Sequence, residues 1–133
     1  MPRISRNKLK ERGILRFLRS FQYSMEGLIY SYKNEQSMLI HFIVTVFAVF
    51  LGFLFDITKT EWILIFLALS IILVAELFNT AIEAIVDLIT LEVNPLAKIA
   101  KDCGSAATFV VSGVCFIVCA AVMYPYIIKL FFG

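Results

Sequence analysis

The chain reads as an all-α membrane protein: an N-terminal amphipathic surface helix followed by three transmembrane helices. Three observations carry that expectation. Hydrophobic residues make up 61% of the 133 and charged residues only 17%, a balance suited to a small integral membrane protein. The apolar residues come in long runs instead of alternating with polar ones, each run about as long as a helix needs to cross the hydrocarbon. Finally, Arg3, Arg6, Lys8, Lys10, Arg12, Arg16 and Arg19 all precede the first run, an asymmetry that the net charge of +2 conceals. Such a cluster marks a cytoplasmic, membrane-facing end and not a nucleic-acid tail, because membrane helices follow it.

No small-residue cleavage site follows the basic start, so no signal peptide is expected and the product should stay whole. Within residues 1–33, Ile14, Phe17, Leu18, Phe21, Met25, Leu28, Ile29 and Tyr32 recur at helical spacing, with Arg16, Arg19, Tyr23, Glu26 and Tyr30 opposite. That pattern describes a helix lying on the membrane surface. Its polar face has two readings: solvated charges on an anchor, or Arg16 and Tyr23 jointly holding an anionic ligand.

Residues 38–55 supply the first span. The polar stretch Asp56 to Glu61 permits only a tight hairpin before Trp62, an interfacial anchor, opens the second span over 62–89. At about 28 residues, or roughly 42 Å of helix, this span exceeds the bilayer core, so its second half is expected in the inner leaflet, emerging into the cytoplasm. Asn94-Pro95 signals a turn, and Lys98, Lys101 and Asp102 form a charged patch after it. The third span covers 105–131, where Ala106, Ala107, Ser112 and Gly113 admit close helix contact. The distribution of basic residues places the N-terminal segment and the second loop in the cytoplasm and the C-terminus outside. No internal repeat interrupts residues 1–133, which read as one domain. Three spans enclose a polar cavity poorly, which points to an oligomer.

The chemistry is concentrated in Ala75 to Asp87. At 100° per residue, Glu76, Asn79, Thr80, Glu83 and Asp87 fall on one narrow arc, with apolar residues round the remainder. Charged groups at membrane depth cost a few kcal/mol each, so this stripe must face protein, water, a cation or protons. With the topology above, Glu35, Glu76, Glu83, Lys101 and Asp102 converge near the inner interface. Carboxylates with an adjacent amide are hard oxygen ligands suited to Mg²⁺, a buried carboxylate can act as general base for an alcohol, and lysine complements phosphate as a point charge. A proton relay, an ion-pathway ring or an interhelical clamp would use the same residues. Neither a GxxxxGK[ST] phosphate loop nor a protein-kinase signature is present. His41, alone among apolar neighbours, is expected to be an interfacial or interhelical hydrogen-bond partner. Asp87, far toward water, is expected to orient its surroundings. Cys103, Cys115 and Cys119 are odd in number and form no CxxC pair, so they are expected to be packing residues and not a disulfide or zinc framework.

The run Glu76-Leu77-Phe78-Asn79-Thr80-Ala81-Ile82-Glu83-Ala84-Ile85-Val86-Asp87, with Ala100-Lys101-Asp102-Cys103-Gly104-Ser105-Ala106-Ala107, resembles the signature of the prokaryotic diacylglycerol kinase family, which includes the undecaprenol kinases. The resemblance continues upstream through Phe21, Tyr23, Gly27, Asn34 and Glu35 and covers the chain after about Ile14. It implies a three-span lipid kinase of a bacterial cytoplasmic membrane, a homotrimer with active sites shared between subunits, which moves the γ-phosphoryl of Mg-ATP to a lipid hydroxyl at the cytoplasmic face. Position by position, Glu76 matches the general base, Glu35 and Glu83 the magnesium-holding carboxylates, and Asn79 the amide that supports base and metal. Arg16, Tyr23, Glu35, Glu83, Glu92, Asn94, Lys101 and Asp102 fall where the family contacts nucleotide; Arg16, Glu76 and Ser105 fall near the lipid. Ile40-His41 is similar to the polyprenol branch, whereas the diacylglycerol branch places an arginine and a glutamate at Leu39 and His41. The expected substrate is therefore undecaprenol, with diacylglycerol as the alternative. A non-enzymatic proton- or cation-conducting oligomer is the alternative of another class.

Overall fold

The computed structural model describes residues 13–133. Of the basic cluster, Arg3, Arg6, Lys8, Lys10 and Arg12 lie outside the described residues. Among those described there are four helices and no strands. They fall into two compact units, divided after Asn34.

The first unit is helix α1, Ile14–Asn34. Gly13 precedes it with φ +105°, a backbone conformation open to glycine at little cost. The Ser20 and Ser24 hydroxyls donate back to the carbonyls of Arg16 and Ser20, and Gln22 and Glu26 bond one turn apart at 2.8 Å.

The second unit holds α2 (Gln36–Leu54), α3 (Lys59–Ile89) and α4 (Pro95–Phe132). All three are long and apolar enough to cross a membrane. Glu35, extended at φ −106°, stands at the start of α2. After Leu54 the chain turns within four residues, with Asp56 at φ +50°, which aspartate tolerates better than most residues. Thr58 then opens α3 through a reciprocal capping box: its hydroxyl accepts from the Glu61 amide and its own amide donates to the Glu61 carboxylate. That box starts the helix three residues before Trp62, where the span was expected to begin. The larger correction concerns α4, expected from residue 105 but beginning at Pro95. The Asn94 side-chain oxygen accepts from the amides of Leu96 (2.8 Å) and Ala97 (3.3 Å), and Pro95 occupies the first helical position, where its missing N–H removes no bond. Lys98, Lys101 and Asp102 therefore ride on helical turns and do not lie in a loop.

α3 packs chiefly on α4 and to a lesser extent on α2. Its buried positions Ile65, Ala68, Leu69, Ile72, Glu76, Asn79, Thr80 and Val86 form one stripe at three- and four-residue spacing. Up to Ile72 this stripe meets Ala48, Cys115, Val122 and Met123 in an apolar core. From Glu76 onward the same face turns polar, so the element that anchors the core also carries the acidic residues. Cys115 belongs to that core and Cys119 packs against it. Cys103 does not fit the packing expectation, because it lies exposed on α4.

Candidate functional site

Glu76 is 3% exposed although it carries a carboxylate. Two side chains one turn apart on α2 reach it: the Ser37 hydroxyl donates to Oε2 at 2.9 Å, and His41 Nε2 lies 2.9 Å from Oε1. His41 is thus an interhelical hydrogen-bond partner, as expected, and its partner is the buried acid. A charged group away from water is tolerated only when hydrogen-bonded, and these two contacts meet that demand. His41 also borders a groove of ≈ 530 Å³ between α2 and α4, lined almost wholly by apolar side chains such as Val44, Ala48, Ile72 and Cys115.

One turn further along α3, Asn79 Nδ2 donates to Glu83 Oε1 at 3.1 Å. Its other amide atom, Oδ1, is buried without a hydrogen-bond partner. The amide can come so deep because residue 104 on α4 is glycine: a Cβ there would collide with Asn79 Oδ1. Glu35 completes the group from the head of α2. Its pKa is raised above the ordinary 4.5, first by desolvation and then by the charges of Glu83 and Glu76, so the three carboxylates share one electrostatic environment.

Among the described residues no three His, Cys, Asp or Glu side chains gather closely enough to hold a metal ion by themselves. The carboxylates of Glu35 and Glu83 nevertheless suit Mg²⁺ when the other positions are left to phosphate and water, because that ion prefers hard oxygens and commonly takes only one or two carboxylates from protein.

Beyond Glu83 the stripe reaches a shallow, open cleft of ≈ 320 Å³ where α3 ends and α4 begins, bordered by Asp87, Glu92, Asn94, Lys98, Lys101 and Asp102. Lys101 Nζ donates to Asp87 Oδ1 at 2.6 Å, and Lys98 pairs with Asp102 one turn away. Asp87, expected from the sequence to play a supporting or loop-orienting part, thus pairs with a lysine on α4. The Asn94 side-chain oxygen is committed to the α4 cap, and Ser105 is exposed on α4 one residue beyond Gly104. Arg16 and Tyr23 lie exposed on α1, in the other unit. The second unit therefore brings together Glu35, Glu76, Asn79 and Glu83 in one group and Glu92, Asn94, Lys101 and Asp102 in the other. Ser37, which contacts Glu76, carried no signal of a site in the sequence, and Gly104, which contacts Asn79, stood in the family's signature run without a role of its own: their importance comes from pairings between helices.

Comparison with known proteins identifies the family. The family model described as prokaryotic diacylglycerol kinase matches residues 22–123. A diacylglycerol kinase of Pseudomonas aeruginosa is 38% identical over 98 residues, covering 74% of this chain and 80% of its own length. An undecaprenol kinase of Bacillus subtilis is 34% identical over 110 residues, covering 83% and 89%, and a diacylglycerol kinase of Haemophilus influenzae is 34% identical over 101 residues, covering 76% and 86%. With the match spanning most of the chain and including every polar residue of the α3 stripe, this protein belongs to the prokaryotic diacylglycerol kinase family.

Proposed function

We propose that the protein phosphorylates a membrane lipid alcohol, with ATP as donor and Mg²⁺ as cofactor, and that its main substrate is undecaprenol. Family membership makes it a lipid kinase and favours the enzyme over a conducting oligomer. The observation that carries the mechanism is the buried Glu76 carboxylate, in contact with the Ser37 hydroxyl and His41 Nε2 and standing one and two turns from Asn79 and Glu83 on the same face of α3.

Glu76 acts as general base. It takes the proton of the lipid hydroxyl as that oxygen bonds to the γ-phosphorus, while the bond to the β–γ bridging oxygen breaks and ADP leaves. Glu35 and Glu83 would hold Mg²⁺, with Asn79 steadying Glu83, and the ion would supply neutralisation of the charge on the transferred phosphoryl group. Lys101 adds a point charge held by Asp87, and Glu92, Asn94 and Asp102 border the nucleotide. By the family resemblance alone, Arg16 and Tyr23 are assigned to the nucleotide, and Arg16 and Ser105 to the lipid. We read residues 1–133 as a single lipid kinase domain of a bacterial membrane, active at the cytoplasmic face as three copies that share their sites. The groove beside His41 suits the hydrocarbon chain of the substrate.

Ile40-His41 favours undecaprenol; the 38% identity to the Pseudomonas diacylglycerol kinase favours the second reading, phosphorylation of diacylglycerol. One assay tests both. Lipid-stimulated ATP consumption by purified protein is measured with each alcohol in the same detergent, for the native chain and for Glu76→Gln. The expected result is faster turnover of undecaprenol, lost in the variant. Strong preference for diacylglycerol reverses the substrate assignment, and native turnover by Glu76→Gln ends the assignment of the base.

A further inference from the structure

We infer that Ser37 and His41 form a two-donor clamp that aims the Glu76 carboxylate, making His41 a positioning residue of the phosphoryl transfer. The inference rests on Glu76 being the base proposed above.

An ionised carboxylate only accepts hydrogen bonds. Both contacts must therefore be donated to Glu76, which requires the His41 imidazole to carry its proton on Nε2, the atom 2.9 Å from Oε1. The Ser37 hydroxyl takes the other oxygen at the same distance. The two donors stand four residues apart on α2, so they present adjacent groups to α3.

One bond would suffice to join α2 to α3. Two bonds, one on each oxygen, do more: they fix the plane of a group whose terminal torsion is otherwise broad. Each oxygen keeps a lone pair, so an alcohol can still be received. A base has to lie within hydrogen-bond reach of the proton it removes, and misplacement by a fraction of an ångström is felt in the rate. The burial of Glu76 makes the clamp necessary, because water cannot replace a missing donor there: its side chain is 4% exposed, against 21% for His41.

The test compares kcat, KM for ATP and Tm in detergent for the native protein, His41→Leu, His41→Gln, Ser37→Ala and Glu76→Gln, using Mg-ATP and whichever of undecaprenol and diacylglycerol the native protein turns over. His41→Leu is expected to lower kcat about 10- to 100-fold, the worth of one charge-assisted hydrogen bond at the reacting group, with KM for ATP within about two-fold of native. His41→Gln, whose amide can still donate, is expected to restore most of kcat. Native kcat in folded His41→Leu overturns the clamp, and so does a loss that follows Tm equally in the Leu and Gln variants. If His41→Leu does not fold, Ser37→Ala carries the test: native kcat there overturns the clamp and a several-fold loss supports it. Inactive Glu76→Gln beside native His41→Leu defeats this inference alone, whereas active Glu76→Gln defeats the assignment of the base.

Discussion

Lys101 Nζ donates to Asp87 Oδ1 across 2.6 Å, tying the second turn of α4 to the last turn of α3. Both side chains are partly exposed, 37% and 49%, so the pair adds little to folding. Its value lies in direction: a lysine on a flexible stem is held beside the cleft where Glu92 and Asn94 stand. Asp87→Asn is expected to leave Tm nearly unchanged and to raise KM for ATP about three- to ten-fold. Lys101→Met is expected to raise it further. Steady-state kinetics with varied ATP checks both, and an unchanged KM in Lys101→Met would remove Lys101 from the nucleotide site.

Gly104 and Asn79 give a sharper test, because the constraint is steric. A methyl group at residue 104 meets the buried Asn79 oxygen, so the amide must shift, and any shift strains its bond to Glu83. Gly104→Ala is expected to lower kcat by about ten-fold or more. A double-mutant cycle with Asn79→Ser identifies the cause: once the amide is shortened, the methyl should cost little, so the two losses will not add. Additive losses would show that Gly104 matters for another reason.

Glu35 predicts opposite effects on stability and activity. Its pKa is raised by desolvation and by the charges of Glu83 and Glu76, so its ionised form is disfavoured in the folded chain. The sign follows from linkage: for an acid whose folded pKa lies above the unfolded value, a stability penalty grows as pH rises from 4.5 through the folded value and is fully present above it. Glu35→Gln removes that penalty, and its Tm without metal at neutral pH is expected to equal or slightly exceed the native one, the gain being small because the group is partly exposed. The same change removes a hard anionic ligand, so the Mg²⁺ needed for half-maximal turnover should rise at least about ten-fold. Chelation of the native protein should abolish turnover, and added Mg²⁺ should restore it. An unchanged Mg²⁺ requirement would exclude Glu35 from the metal site.

What the sequence revealed follows from the kind of signal each feature leaves. The three long helices were legible because hydrophobic length is a local property. The acidic stripe was legible because Glu76, Asn79 and Glu83 interrupt an apolar run at helical spacing. The start of α4 was misjudged because Lys98, Lys101 and Asp102 look like loop residues, although Asn94-Pro95 is also a helix cap followed by a first-turn proline. Ser37 passed unnoticed, and Gly104 stood in the signature run without a role, for a deeper reason. Nothing about a serine on α2 or a glycine on α4 announces a neighbour on α3; such contacts arise from packing between segments far apart in the chain.

The far end of α3 supplies a control in which stability and chemistry separate. Tyr126 Oη donates to Glu61 Oε2 at 2.7 Å while its ring stacks on Phe55 with centroids 5.9 Å apart. The Glu61 carboxylate also accepts from Thr58 in the capping box, so one side chain joins the start of α3 to α4. Tyr126→Phe keeps the ring and removes one hydrogen bond, so a small loss of stability is expected. Glu61→Ala removes that bond and the cap together and should cost more. Yet Glu61 lies about 15 residues before Glu76, roughly 22 Å along the helix. Both variants should therefore unfold earlier on heating in detergent while keeping native kcat and KM at a temperature where they remain folded. A fall in kcat for folded Tyr126→Phe would mean that the two ends of α3 are mechanically coupled, and that the Glu76 clamp depends on how the helix is seated at its start.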